Sequence, residues 1–380
     1  MAPKSRLDIK DNDLHSALAK LLKSILHQAD VAAVLVPLRL PMKNQVMPTL
    51  IADPARLDAA DPLAPAFPLN GAKLLSRLTR KPTGEKIVAV MRPCEIRAYV
   101  ELVKLKQGDP DEVILIGLDC LGAYSNTDYA RCAGQSGEAV GRTFSRNVLE
   151  GRGTAMDGAD LAPACRVCEH PIPEGADVVI DLYGMDADHL VLEARSAKGE
   201  GLLLGLDLPS TETPAGRVKA VEALLAERTT NLDRMLAETA ETVSSLEKLS
   251  SYLAGCVNCY NCRVACPVCY CKECVFVTDV FEHEPFQYLR WANRKGALKM
   301  PTDTVFYHLT RLAHMSTACV GCGQCSNACP NDVPVMELFR SVAGRTQPAF
   351  DYEAGRSLDE APPLSVFRED EFKEVTGGRD

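Results

Sequence analysis

Two cysteine-rich runs carry the spacing most characteristic of chemistry in this chain. The first extends from Cys256 to Cys266 with the pattern C-x2-C-x2-C-x3-C before a proline, and the second repeats it from Cys319 to Cys329. This spacing is the bacterial signature of 4Fe-4S clusters, in which the fourth cysteine of each run binds the other cluster of a pair. We therefore expect two clusters with crossed ligation. The first set is Cys256, Cys259, Cys262 and Cys329, and the second is Cys319, Cys322, Cys325 and Cys266.

Zinc is the alternative ligand for such cysteines. Zinc knuckles usually space their ligands as two separated pairs, whereas each run here places four cysteines close together ahead of a proline. The spacing therefore favours iron-sulfur clusters over a purely structural zinc protein.

Composition excludes several other classes of protein. The formal net charge of −9 disfavours nucleic acid as a partner. No apolar run approaches the roughly 18 residues that a membrane span requires, and the first residues lack the apolar core of a signal peptide. We expect a cytoplasmic protein without a membrane span, in which the 16 cysteines stay reduced and available to metal.

The first half of the chain predicts an α/β domain. Short apolar runs at 31–36, 87–91 and 113–118 read as buried strands, and helical periodicity between them favours a mostly parallel sheet. Cys94 and Cys120 directly follow two of these strands, where ligands of such sheets bind. With the pair Cys165 and Cys168 they would hold a third 4Fe-4S cluster, although a buried cysteine also serves simply as a small apolar residue.

The second half predicts an all-α ferredoxin domain with two clusters. Thr213 and Pro214 mark a helix start, and the apolar stripe that follows predicts one long helix leading into the first cysteine run. A further amphipathic helix is expected at 302–316, with His308 and His314 packed or at the surface. The predicted domains are 1–212, 213–345 and an extended tail at 346–380.

Three more cysteines follow the first run and exceed the needs of two clusters: Cys269, Cys271 and Cys274. With a fourth ligand such as Cys132 they would bind a fourth cluster, so the chain is expected to hold three clusters, or four. The alternatives are free thiols that shield the pair and an unliganded Cys132 in a polar loop.

The blocks VAVMRPCEIRAYVEL, LIGLDCLGAYS and ACRVCEHPIPEGADVVIDLYG occur in this order over roughly 87–184. This part of the chain resembles the beta subunits of coenzyme F420-reducing hydrogenases and formate dehydrogenases. The resemblance implies FAD beside a 4Fe-4S cluster. The ligands that the resemblance implies for that cluster are Cys94, Cys120, Cys165 and Cys168. Arg92 and Arg97 are then candidates to bind the phosphates of FAD, unless they pair with Glu95 and Glu101.

A second resemblance covers about 246–342, where FYHLTRLAHM precedes CVGCGQCSNACP. This part is similar to the C subunit of heterodisulfide reductase and to other helical ferredoxins with two clusters. Together the two resemblances imply an electron-transfer subunit that links two-electron chemistry at FAD to one-electron steps through clusters. Its expected partners are other redox subunits, of hydrogenase, formate dehydrogenase or heterodisulfide reductase type, and a carrier such as F420, NAD(P)H or ferredoxin. The alternatives are a flavin-free relay and a self-contained dehydrogenase.

Overall fold

The computed structural model describes residues 3–41, 45–137, 139–271, 273–278, 284–296 and 303–366. Within these ranges a mixed α/β sheet unit is followed by a region of helices and loops. Among the described residues, no helix has the length and hydropathy that crossing a bilayer requires.

Seven strands form one sheet in the order β1-β7-β6-β5-β4-β2-β3. The strands are β1 (Lys4–Asp8), β2 (Val31–Arg39), β3 (Val46–Ile51), β4 (Lys86–Met91), β5 (Val113–Leu118), β6 (Val178–Asp181) and β7 (His189–Ala194). The four central strands, β2, β4, β5 and β6, run parallel. β3 on one side and β7 and β1 on the other are added antiparallel. The expectation of a mostly parallel sheet therefore holds for its centre, and the sheet as a whole is mixed.

The helices of the described residues are α1 (Leu14–Leu26), α2 (Ala72–Leu78), α3 (Pro93–Lys104), α4 (Asn126–Ser136), α5 (Ala139–Leu149), α6 (Pro163–Arg166), α7 (Ala197–Leu204), α8 (Gly216–Thr242), α9 (Leu246–Tyr252), α10 (Asn261–Ala265), α11 (Pro285–Lys295), α12 (Thr304–Met315), α13 (Gln324–Asn327) and α14 (Val335–Ala349). Two 3-10 turns, Pro54–Ala59 and Val275–Val277, complete the regular structure of these ranges.

Several local predictions were wrong. The strands β1 and β3 were missed because one is polar and the other contains Pro48, which an edge strand tolerates. The single long helix is broken between Thr242 and Leu246, where Ser245 caps α9 through its side chain. Cys132 lies in α4, in the apolar core, and not in a polar loop.

The sheet separates two apolar layers. Along β4, Val88 and Val90 face one layer while Ala89 and Met91 face the other, as the two-residue period of a strand requires. α1 and α5 cover the first face. The second face continues without interruption into the helical region, where Phe339 and other buried side chains of α12 and α14 join the same core. The cysteine runs are therefore packed against the sheet and are not carried on a separate, loosely attached unit.

The segment after α14 also packs on the sheet unit. The hydroxyl of Tyr352 donates to Glu101 of α3 at 2.6 Å, and the backbone N–H of Gly355 donates to the same carboxylate at 2.7 Å. Tyr352 is only 5% exposed. Residues 350–366 therefore pack against the sheet unit of the same chain. The rest of the predicted tail, 367–380, falls outside the described residues.

Candidate metal centre between the sheet and the helical region

The carboxyl ends of two neighbouring parallel strands carry the first pair of cysteines. β4 and β5 end at Met91 and Leu118, Cys94 follows in the first turn of α3, and Cys120 lies two residues beyond β5. Pro93 occupies the first helical position after an extended Arg92 and so fixes the strand-to-helix turn. The topology, not any local motif, brings Cys94 and Cys120 to one edge of the sheet.

Cys165 of α6 and Cys168 just beyond it complete this group. Burial, and then the neighbouring thiols of Cys120 and Cys168, raise the pKa of Cys165 to about 12. Burial also raises the pKa of Cys94, to which Cys322 and Cys120 contribute. Since thiols affect one another's pKa only at short range, the structure places the four predicted residues together. We call Cys94, Cys120, Cys165 and Cys168 the edge set.

A second group of four thiols lines one small, mainly apolar cavity of about 30 Å³. These are Cys266, Cys319, Cys322 and Cys325, here called the inner set. Val268, Met315 and Phe339 form much of the remaining wall. Burial raises the pKa of Cys325, with further contributions from Cys322 and Cys266. Cys266 comes from the first cysteine run and the others from the second, so the structure produces the crossed grouping that the spacing predicts.

The third group, Cys256, Cys259, Cys262 and Cys329, is called the outer set because Cys259 is exposed. Burial raises the pKa of Cys256, and the thiols of Cys262, Cys329 and Cys259 raise it further. Here Cys329 crosses over from the second run. The inner and edge sets are adjacent, because Cys322 makes the largest electrostatic contribution to the raised pKa of Cys94. The outer set adjoins the inner set at Arg311, which donates to Cys262 Sγ and lines the inner-set cavity.

The two cysteine runs share one backbone conformation. Asn258 and Tyr260 have φ of 51° and 60°, and the equivalent Gly321 and Gly323 have φ of 69° and 75°. In the second run glycine is also required for space. A Cβ on Gly323 would come within 2.3 Å of the Ala164 side chain of α6, and one on Gly321 would collide with Arg340. These glycines let the inner set approach both the edge set and α14.

The spacing of the thiols is wider than a tetrahedral zinc site. Four thiolates on one zinc lie about 3.8 Å apart, given Zn–S bonds of about 2.3 Å. Over the part of the chain that the structure describes, the only group of three potential ligands within 4.8 Å of one another is Asp186, Asp188 and His189, which contains no cysteine. Among the described residues no three thiols lie that close together, so the cysteines do not form a preformed tetrahedral zinc site.

The additional cysteines do not form a complete fourth set with Cys132. The Cys132 thiol is fully buried and donates to the Met156 carbonyl at 3.6 Å, in the core on the far face of the sheet. Cys269 instead lies beside the first run, where burial and then Cys266 raise its pKa to about 11. Cys271 is exposed and Cys274 is half-buried. A fourth cluster ligated by Cys269, Cys271 and Cys274 would need a ligand other than Cys132.

Three side chains of α12 contact the outer set, and sequence analysis did not assign them this role. The ring Nε2 of His308 lies 3.4 Å from Cys256 Sγ, and the Tyr307 hydroxyl lies 3.3 Å from Cys262 Sγ. Arg311 donates to Cys262 Sγ at 3.1 Å. Burial, and then Arg311, lower the pKa of His308 to about 4. The spacing of Tyr307 and Arg311, one helical turn apart, was the available signal. His308 was expected only to pack, whereas His314 is exposed.

The two arginines predicted to bind FAD are engaged elsewhere. The guanidinium of Arg92 donates to the carbonyls of Ala64, Ala66 and Gly122, at 2.7, 2.8 and 3.3 Å. That of Arg97 donates to Glu353 at 3.2 Å. Arg92 thus ties loops at the strand ends together and Arg97 holds the segment after α14. Arg92 is thus occupied by backbone carbonyls, whereas Nε of Arg97 has no hydrogen-bond partner among the described residues and Arg97 lines a cavity with Arg340 and Arg356. Arg92 does not form the expected side-chain pair with Glu95, which accepts from the backbone N–H groups of Arg92 and Gly71.

A buried ion network lies at the strand ends beside Cys120. Arg217, at the start of α8, donates to both carboxylate oxygens of Asp119 at 2.6 and 3.1 Å and lies 2.7 Å from Asp181. One guanidinium therefore faces two carboxylates. Burial raises the pKa of Asp181 to about 7; Arg217 lowers it, and Asp119 and Glu193 raise it again.

We expect Asp181→Asn to remove part of the pH dependence of stability. Because the folded pKa of Asp181 lies above its unfolded value of 3.8, its contribution is present at low pH and is lost as pH rises through about 7. The free energy of unfolding of the variant, relative to the wild type, should rise between pH 5 and pH 8 in denaturant titrations. The exposed Asp186→Asn is the control. An unchanged pH profile in Asp181→Asn would contradict the assignment.

Comparisons with known proteins found two family models and several relatives that match this chain. Residues 84–206 match the family described as the C terminus of the beta subunit of coenzyme F420 hydrogenase/dehydrogenase, and residues 314–335 match a 4Fe-4S binding domain. The chain is 27% identical over 373 residues to the F420-dependent formate dehydrogenase subunit beta of Methanocaldococcus jannaschii, covering 92% of this chain and 93% of that protein. It is also 27% identical to the F420-dependent formate dehydrogenase 1 subunit beta of Methanococcus maripaludis, over 73% of this chain and 75% of that one.

A chain of the F420-reducing [NiFe] hydrogenase complex from Methanosarcina barkeri aligns with a TM-score of 0.45 and 14% identity, covering 65% of this chain and 94% of its own. The family and the two relatives confirm the predicted resemblance to the beta subunits of formate dehydrogenase and hydrogenase. They also confirm the predicted class, an oxidoreductase subunit.

Proposed function

We propose that this chain is the iron-sulfur electron-transfer subunit of an F420-dependent complex of the formate dehydrogenase or hydrogenase type, acting in the cytoplasm. The observation that carries the proposal is the inner-set cavity, where four thiols from two distant runs meet behind apolar walls. Such a site suits a 4Fe-4S cluster, whose ligands are thiolates and whose potential depends on burial. One relative that aligns over 92% of this chain is the beta subunit of an F420-dependent formate dehydrogenase.

The contiguous edge, inner and outer sets supply a path for single electrons. The edge set lies at the carboxyl edge of the sheet, the inner set adjoins it through Cys94 and Cys322, and the outer set reaches the surface at Cys259. The chain's own part in the reaction is to hold these sites in order and to keep water from the inner one. We propose that a partner redox subunit exchanges electrons at the outer set. A subunit of the heterodisulfide reductase type is one such partner.

FAD is part of this proposal through the family resemblance, and it would supply the exchange between two-electron and one-electron chemistry. Its fit to the described residues is incomplete. Arg92 is engaged, and the cavity of about 390 Å³ between Cys165 and Cys322 offers Ser125 and Asn327 but no basic side chain in its lining. A pyrophosphate would therefore lack a cation in that cavity, and no step is assigned to the flavin. The basic side chains Arg97, Arg340 and Arg356 line a different cavity, of about 530 Å³. A flavin-free relay between partners is the second candidate, which the engagement of Arg92 by three carbonyls favours.

The composition of the anaerobically purified protein tests the proposal. Three clusters predict about twelve irons per chain, little zinc, and EPR signals that appear during a reductive titration. One FAD per chain would favour the transducer, whereas full iron without flavin would favour the relay. About sixteen irons would indicate that Cys269, Cys271 and Cys274 hold a fourth cluster. Stoichiometric zinc in place of iron would overturn the proposal. Turnover of F420 or NAD(P)H with a dye by the isolated chain would favour a self-contained dehydrogenase.

A further inference from the structure

Arg311 lies between the inner and the outer sets. It is 3% exposed, and its guanidinium donates to the sulfur of Cys262 at 3.1 Å and to the carbonyl of the same residue at 3.2 Å. The rings of Phe339 and Tyr307 lie 4.7 and 5.6 Å from its central carbon. Burial lowers the pKa of Arg311, but the thiols of Cys262, Cys266 and Cys325, together with Tyr307, raise it overall. These thiols belong to both sets.

The positive charge of Arg311 lies in the protein interior and needs a negative charge nearby. A buried guanidinium is costly unless an anion compensates it. Within the described ranges no carboxylate forms an ion pair with Arg311, and its partners are thiols, a carbonyl and two aromatic faces. The cysteine thiolates near Arg311 can hold an anionic group, and that group would supply the negative charge that compensates the guanidinium.

Arg340 occupies the equivalent place between the edge and the inner sets. It lies on α14, is 8% exposed, and forms an ion pair with Glu169, the residue after Cys168. Burial lowers the pKa of Arg340, whereas Glu169, Cys168 and Cys319 raise it overall. Its guanidinium packs over Gly321, where a Cβ would collide with it. One buried arginine therefore stands at each of the two junctions between neighbouring cysteine sets.

We propose that Arg340 and Arg311 set the reduction potentials of the clusters on either side of them, so that each arginine couples two neighbouring clusters. This inference rests on the proposed function, because it requires clusters in the three sets. A cluster becomes more negative when it accepts an electron. A fixed positive charge nearby stabilises the reduced form and raises the potential, the more so in a low-dielectric interior. Both are positioning residues, since they act through the cysteines.

The experiment is an EPR-monitored redox titration of the iron-loaded protein and its variants. Loss of signal in Cys165→Ala, Cys325→Ala and Cys259→Ala assigns the signals to the edge, inner and outer sets. Arg311→Gln should lower the potentials of the inner and outer signals and leave the edge signal unmoved. Arg340→Gln should lower the edge and inner signals and leave the outer one unmoved. We expect the ratio of reduced to oxidised cluster at fixed potential to fall about tenfold, or about 59 mV for one electron.

Matched variants separate the charge from its structural effects. Arg345→Gln removes an exposed arginine from the same helix as Arg340 and should move no signal. Arg311→Lys should retain most of the wild-type potentials, because it keeps the charge. Glu169→Gln removes the counter-charge of Arg340 with little change of shape and should raise the edge and inner potentials; it carries the test at that junction if Arg340→Gln fails to fold.

The outcomes distinguish this inference from the proposed function. Protein without iron or EPR signals overturns both. Full iron with potentials unmoved in the arginine and Glu169 variants overturns the inference alone. Equal shifts of all three signals in Arg311→Gln would also overturn it, since the coupling would then not follow the observed positions.

Discussion

Cys322→Ala is expected to remove about four irons per chain and to interrupt electron transfer between the edge and outer sets. Cys322 lines the inner-set cavity and makes the largest electrostatic contribution to the raised pKa of Cys94. It therefore contributes both to a cluster site and to the contact between two sites. Burial, and then Cys266, raise the pKa of its thiol. This environment suits a thiolate only when a metal compensates the charge.

The measurement is iron content together with the EPR spectrum, and then the rate at which a dye reduced at one end of the path is reoxidised at the other. Only the EPR signal of the inner set should be lost, and the signals of the edge and outer sets should remain. Cys132→Ala is the matched control, because it removes a buried thiol that donates only to a carbonyl. Equal iron content in Cys322→Ala and Cys132→Ala would refute the inner set as a cluster site.

Much of the candidate centre was predictable because its information is local. The two cysteine runs specify a backbone whose left-handed turns recur at Asn258 and Gly321. The positions of Cys94 and Cys120 followed from apolar strands that end just before them. Parallel strands share one carboxyl edge, so their cysteines had to lie near each other.

The charged residues around the centre were not predictable in the same way. Whether Arg92 binds a ligand or three carbonyls depends on loops 30 residues away in sequence, as its bond to Gly122 shows. Arg311 and Arg340 are polar residues in helices whose periodicity predicts only an apolar face. Their burial arises because the helical region shares its core with the sheet. If the two predicted domains packed separately, without a shared core, these side chains would be exposed.

The two edge strands, β1 and β3, were likewise not predictable from the residues around them. β1 is half-buried and polar, and its pairing with β7 joins residues from opposite ends of the sheet unit, such as Lys4 and Glu193. β3 pairs antiparallel with β2 through a short connection, part of which lies outside the described residues. Neither strand needs an apolar run of its own, because each is added to a sheet that the central strands already define.

Arg217→Met is expected to lower the free energy of unfolding by about 3–5 kcal/mol, the cost of breaking a buried ion pair by removing one partner. The guanidinium binds Asp119 through two nitrogens and also meets Asp181, so its loss leaves two carboxylates facing each other in the interior. Asp119 in addition accepts the backbone N–H groups of Leu182 and Tyr183, at 2.8 and 3.0 Å. The network therefore joins the ends of β5 and β6 to the start of α8.

Because Asp119 precedes Cys120 directly, the same substitution should also loosen the edge set and reduce its EPR signal before the inner and outer signals. Denaturant titration of the variant should show a larger loss at pH 8 than at pH 5, since protonation of a carboxyl relieves the uncompensated charge. Arg217→Met combined with Asp181→Asn should recover part of the stability. Arg234→Met is the control and should change little, because Arg234 is an exposed residue of α8 whose guanidinium donates to Asn231. If Arg217→Met and Arg234→Met cost the same, the ion network does not hold the strand ends in place, and the position of Cys120 depends on packing alone.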